Sequence, residues 1–133
     1  MEKVAQGESL GGFDITEKGD EYPAAVQQEA MVLRDEHFQT VAFLAKSLSD
    51  ENRLRILLCV SNGKKSVSSI VEELGLSQPL VSHHLKELKR SLLVKIERNG
   101  PFIYYELVDP RILGVIRTLS IVATDLLTAR KTF

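Results

Sequence analysis

Apolar residues return at helical spacing through most of this chain and alternate strictly in one short stretch, so the pattern predicts helices and a single hairpin. From about Ala25 to Leu48, Ala30, Val32 or Leu33, His37, Val41, Leu44 and Ala45 form an apolar stripe. Phe38 and Phe43 widen it, and together they predict one long helix. Asp50 then suits an N-cap for a helix from Glu51 to about Ser61 carrying Leu54, Ile56, Leu57, Leu58 and Val60, and Asn62-Gly63 ends it. Ser66 caps a short helix through Leu74 whose inner face is Val67, Ile70, Val71 and Leu74. Gly75 supplies a turn. Ser77 caps the next helix, with Pro79 in its first turn where a missing N–H costs nothing, and Leu80, Val81, Leu85 and Leu88 follow on one face.

The period changes at Leu92. Leu92, Val94 and Ile96 alternate with Leu93, Lys95 and Glu97, and Ile103, Tyr105 and Leu107 share a face after Asn99-Gly100. Asn-Gly between alternating runs predicts a tight hairpin with both residues at positive φ. Asp109-Pro110 opens a last helix bearing Ile112, Leu113, Val115, Ile116, Leu119, Ile121, Val122, Leu126 and Leu127, with Arg130 and Lys131 at its favoured cationic end.

Two short helices around a glycine turn are a helix-turn-helix, and a hairpin directly after the second helix is a wing. The expected class is mainly α with a small β-hairpin: a winged helix-turn-helix in the order α-α-α-α-β-β-α, spanning residues 26–133. Residues 1–25, acidic and carrying Gly7, Gly11, Gly12 and Gly19, read as a flexible arm. The first and last helices hold more apolar surface than one small domain needs, which predicts a homodimer built through both.

Charge sharpens this picture. The net charge of −1 looks wrong for a DNA binder. Residues 1–25 hold six acids against Lys3 and Lys18, a balance of −4, so the remainder carries +3. The face of the second short helix opposite its leucines holds Pro79, Ser82, His83, Lys86 and Arg90, with Gln78 at its entrance. Ser, Gln and His side chains can reach base edges in a major groove, while cations neutralise phosphates. Lys64, Lys65, Lys86, Lys89 and Arg98, the last near the hairpin tip, are the expected backbone contacts.

Other chemistries find little support. Cys59 is the sole cysteine, so no disulfide or thiolate cluster forms within one chain. No catalytic constellation is visible, because the adjacent His83 and His84 point to different helix faces. No cofactor is expected. No apolar run approaches the ~18 residues of a membrane span and the N-terminus lacks a signal-peptide core, so a cytoplasmic protein without membrane contact is expected.

The runs Leu48-Ser49-Asp50-Glu51-Asn52-Arg53-Leu54-Arg55-Ile56-Leu57 and Leu76-Ser77-Gln78-Pro79-Leu80-Val81-Ser82-His83-His84-Leu85, then Arg98-Asn99-Gly100 and Tyr104-Tyr105-Glu106-Leu107, resemble the ArsR/SmtB repressors. The resemblance covers about residues 40–125. It implies a dimeric winged-helix repressor that binds a near-palindromic double-stranded operator and leaves it when an inducer binds. By that likeness Ser77, Gln78, Ser82 and His83 face the groove and His84 lies inward. Pro101 stands where the family commonly has a second wing arginine.

The family's sensing sites match poorly. Its thiolate box corresponds to Ser66 and Ser68, and serine is a poor soft-metal ligand. Its last-helix metal site corresponds to Asp109, Arg111, Val122 and Asp125, where Arg and Val cannot complete zinc coordination. Its dithiol switch has only Cys59 as a counterpart. The expectation is a repressor without the usual metal sites and with no assigned inducer. One alternative is a metal- or thiol-responsive sensor using Asp109, Asp125, His37 or two symmetry-related Cys59 thiols. Another is a winged-helix module that binds protein.

Overall fold

The computed structural model describes residues 23–25 and 34–130. The expected acidic arm lies outside the described residues except for its last three. Seven elements follow in order: α1 (Asp35–Ser47), α2 (Glu51–Val60), α3 (Val67–Leu74), α4 (Gln78–Arg90), β1 (Val94–Asn99), β2 (Phe102–Leu107) and α5 (Arg111–Arg130). The chain divides between Leu44 and Ala45 into two compact units.

In the first unit, α1 opens with Asp35 and Glu36, where the helix dipole favours acid. The His37 ring accepts a hydrogen bond at Nδ1 from the Arg34 N–H at 3.3 Å. This local cap fixes the start of α1, so the single helix expected from Ala25 to Leu48 is broken at Arg34, which is not helical. Ala30, Val32 and Leu33 lie outside the described residues. Val41 and Phe43 are exposed.

In the second unit, the Asp50 carboxylate accepts from the N–H groups of Asn52 (2.8 Å) and Arg53 (3.1 Å), capping α2 as expected. Ser66 caps α3 by accepting from the Ser69 N–H, and Gly75 ends that helix at φ 68, a left-handed conformation that other residues adopt only at a cost. α2, α3 and α4 pack on one another, and α4 on β1. Their core is Ile56, Leu57, Val60, Ile70, Val81, Leu85, Leu88, Leu93 and Val94, with Cys59 buried among the apolar side chains. At the far end of α4 the Ser47 hydroxyl donates to the Ser91 hydroxyl at 2.8 Å.

Two details differ from the expected hairpin. Leu92 belongs to no strand. It is a turn residue at φ 64 with 76% of its surface exposed, and β1 begins at Val94. The strands pair antiparallel with Val94 opposite Leu107 and Asn99 opposite Phe102, so the loop is Gly100-Pro101 rather than Asn99-Gly100. Gly100 takes φ 63, whereas Asn99 stays in the strand and proline cannot take a positive φ. Only the first loop position is left-handed, which is the pattern of a turn with glycine leading. Lys65 exchanges two backbone hydrogen bonds with Tyr105 (2.9 and 2.8 Å), adding a short third edge to the hairpin.

α5 has no buried residue. Its first turns line an open apolar groove against Leu54 and Leu58 of α2 through Leu113, Gly114 and Ile116. Beyond them Leu119, Ile121, Val122, Leu126 and Leu127 are exposed. With 20 residues and a mean hydropathy of 1.6, α5 is long and apolar enough to cross a membrane. The expectation that no such stretch exists therefore fails. Arg117 and Asp125 interrupt the run as a string of letters, but they barely dilute it as a helix.

Candidate nucleic-acid interface

The chemistry of α4 follows from how it is seated. Val81, His84, Leu85 and Leu88 are buried, while Gln78, Pro79, Ser82, His83, Lys86, Lys89 and Arg90 are exposed. The buried set is one helical stripe, so the remaining side chains form a coherent outer face. Near its N-terminus that face carries amide, hydroxyl and imidazole groups. Towards its C-terminus it carries cations, which the helix dipole also favours. Ser77 sits at the entrance, but its oxygen already accepts from the Leu80 N–H at 3.3 Å, so its first task is to cap α4.

The five cations expected to touch phosphate divide into two sets. Lys64 Nζ lies 2.6 Å from Glu97, and Lys65 Nζ lies 2.6 Å from Glu73. These carboxylates raise both ammonium pKa values, and the lysines in turn lower those of the acids. Lys86, Lys89 and Arg98 make no ion pair with any described residue, whereas Arg90 meets Glu87 at 3.4 Å. The free cations therefore lie on α4 and near the wing tip, and the Lys64-Lys65 pair is bound to acids. Nothing in the sequence paired Lys65 with Glu73. That contact depends on how the loop folds back over α3.

His84 is the inward residue expected to be structural. It is 5% exposed, its Nε2 is 3.6 Å from an Asp50 oxygen, and its Nδ1 has no hydrogen-bond partner. Burial pushes its pKa down, the Asp50 charge pulls it up, and Arg53 and His83 push it down again. The Asp50 carboxyl is held below its usual value, mainly by the Arg53 N–H. His84 thus sits between the recognition helix and the cap of α2, where burial disfavours its charged form.

The sensing candidates are scattered. Asp109 accepts the Arg111 N–H at 2.9 Å and clasps the Arg111 guanidinium at 2.7 Å, which lowers its pKa. Asp125 is exposed on α5 and His37 caps α1. The Ser66 oxygen is engaged with Ser69, and Ser68 is exposed. Cys59 is buried, and burial together with the neighbouring Glu73 carboxylate pushes its thiol pKa up. Among the described residues no three His, Cys, Asp or Glu side chains gather as a metal site requires.

A capped recognition helix on a three-helix core, followed by a two-stranded wing, defines a winged helix-turn-helix, the architecture of DNA-binding regulators. The sequence profile of the bacterial regulatory protein arsR family matches residues 50–95. An uncharacterised HTH-type transcriptional regulator of Methanocaldococcus jannaschii is 37% identical over 62% of this chain and 93% of that protein. The arsenical resistance operon repressor of Staphylococcus aureus is 32% identical over 66% of this chain and 85% of its own. Among solved structures, a homodimeric winged helix-turn-helix DNA-binding domain of Mycobacterium bovis superposes with a TM-score of 0.60 at 27% identity, covering 68% of this chain and 83% of that one. This chain belongs to the ArsR family, and it is a DNA-binding transcriptional regulator.

Proposed function

We propose that the protein is a dimeric repressor that reads a near-palindromic operator with the outer face of α4 and works in the cytoplasm without a metal, a cofactor or a membrane. One observation carries the reading: burial of Val81, His84, Leu85 and Leu88 leaves Gln78, Ser82 and His83 together on the outer face, with Lys86 behind them. In this arrangement Gln78, Ser82 and His83 read base edges, Ser77 contributes its remaining hydroxyl proton, and Lys86, Lys89 and Arg98 engage phosphates. Lys64 and Lys65 would contribute less, because each must first leave a carboxylate. The exposed apolar residues of α1 and α5 support self-association. Two copies would then set their recognition helices about 34 Å apart, one turn of DNA. Repression follows from occupying a promoter.

Donor chemistry disfavours the family's metal sites in this chain. Ser66 and Ser68 offer hydroxyls where thiolates are needed, and Asp109 is committed to Arg111. Selection of bound sequences from a random duplex pool, followed by fluorescence anisotropy on the enriched duplex, tests the whole reading. His83→Ala and Gln78→Ala should each reduce discrimination against random DNA by about 1–3 kcal/mol. Equal loss on both duplexes would refute base reading. Release of the duplex by zinc or by oxidant would instead support a sensor built on Asp109, Asp125, His37 or Cys59.

A further inference from the structure

We propose that the wing grips DNA with an apolar wedge, Pro101 and Phe102, seated in the minor groove next to the major groove read by α4. This rests on the DNA-binding reading above and specifies how the wing takes part in it. Phe102 is the first residue of β2, lies opposite Asn99 and is 60% exposed. Along the hairpin, alternate residues face opposite ways. Val94 and Leu107 mark the side turned to the core, while Phe102 and Tyr104 share the other side, ring centroids 6.4 Å apart. The phenyl group therefore stands outside the hydrophobic core.

The backbone that carries this ring is short and conformationally restricted. Gly100 at φ 63 allows a loop of only two residues, and Pro101 locks its own φ. A wedge already rigid before binding loses little freedom on insertion. The hairpin is also tied to the segment before α3 by the Lys65–Tyr105 bonds, so its tip is fixed relative to the helix-turn-helix.

Charge selects nucleic acid as the occupant. Arg98 is the only charged side chain from residue 98 to residue 103 and makes no ion pair with a described residue. The nearest acid, Glu97, is held by Lys64. A proline-phenylalanine tip, with the unpaired Arg98 guanidinium on the opposite face of the same hairpin, has the chemistry of minor-groove wedges, in which apolar side chains part a flexible base step while a cation meets the narrow groove.

The test uses the full chain and the duplex enriched by selection, with 2-aminopurine placed in turn at the steps flanking each half-site. Binding of the unaltered protein should raise 2-aminopurine fluorescence at one flanking step. Phe102→Ala should abolish that rise and weaken operator binding about tenfold, with the salt slope unchanged, because a lost wedge removes stacking and not counterion release. Phe102→Leu should recover most of the affinity. Arg98→Ala should instead lower the salt slope by about one. Full-strength binding by a folded Phe102→Ala variant, or no fluorescence change with the unaltered protein, would overturn the wedge while leaving DNA recognition intact, and would turn Phe102 into a candidate protein contact. Failure of selection to enrich any duplex would overturn the DNA reading itself, and the wedge with it.

Discussion

The segment from α2 to β2 and the helix α5 are similarly apolar in sequence, yet they spend that character in opposite ways. In the first, Ile56, Leu57, Ile70, Val81, Leu85 and Leu88 are sealed within one chain. In the second, twenty residues bury none of themselves, and Leu119, Ile121, Val122, Leu126 and Leu127 face outward. The former is complete as a folded object. The latter is half of one, and its missing half is the second copy proposed above.

The comparison breaks most visibly at Leu85. Leu85→Ala should cost about 2–5 kcal/mol and lower the melting temperature steeply, since its cavity opens in a closed core. A loss below about 1 kcal/mol would mean that this core is looser than its burial implies.

On α5 the same logic predicts a different readout. Leu126→Ser should leave the helix-turn-helix folded but weaken self-association roughly tenfold or more, seen by sedimentation and by a melting temperature that no longer rises with protein concentration. Unchanged association would remove α5 from the interface.

A third test concerns His84, the buried histidine of the closed region. Burial lowers the His84 pKa below its ordinary 6.5, so the folded state favours the neutral ring. The unfolded chain therefore binds the proton more readily, and stability present above about pH 6.5 should be lost progressively as pH falls through the lowered value. Asp50, Arg53 and His83 are the charged or titratable neighbours that set this balance. His84→Gln should flatten the denaturation midpoint against pH between 5 and 7, on the order of the values where an imidazole titrates. An unchanged slope would place the effect elsewhere. The smallest effect is expected at Leu92, held at φ 64 and largely exposed. Leu92→Gly relieves left-handed strain of roughly 1–2 kcal/mol and returns part of it as unfolded-state entropy, for a net gain of about 0.5–1 kcal/mol in chemical denaturation. A destabilised variant would show that the leucine side chain has a partner.

Most of the fold was legible because local signals agreed with it. Asp50, Ser66 and Ser77 cap the helices they were expected to cap, and Gly75 makes the turn between α3 and α4. Where the reading slipped, a tertiary term outweighed a local one. Leu92 fits an alternating pattern, but the chain must turn between Ser91 and Leu93 to bring β1 onto α4. Pro101 moved the hairpin loop one residue on. The outer face of α4 was readable from periodicity alone. The ion pairs of Lys64 and Lys65 were not, because Glu97 and Glu73 reach them only through the folded loop and wing. His84 could be placed inward from its position, but its link to Asp50 spans two helices that only folding brings together.

The two backbone bonds between Lys65 and Tyr105 have a wider consequence. They stitch the hairpin to the strand of chain ahead of α3, while Leu93 and Val94 anchor its other side in the core. The gauge between wing and recognition helix is thereby a constant of each copy, like the fixed jaw of a caliper. In the proposed dimer what remains adjustable is the distance from one copy to the other, so substitutions that retune operator spacing should map outside residues 50–107.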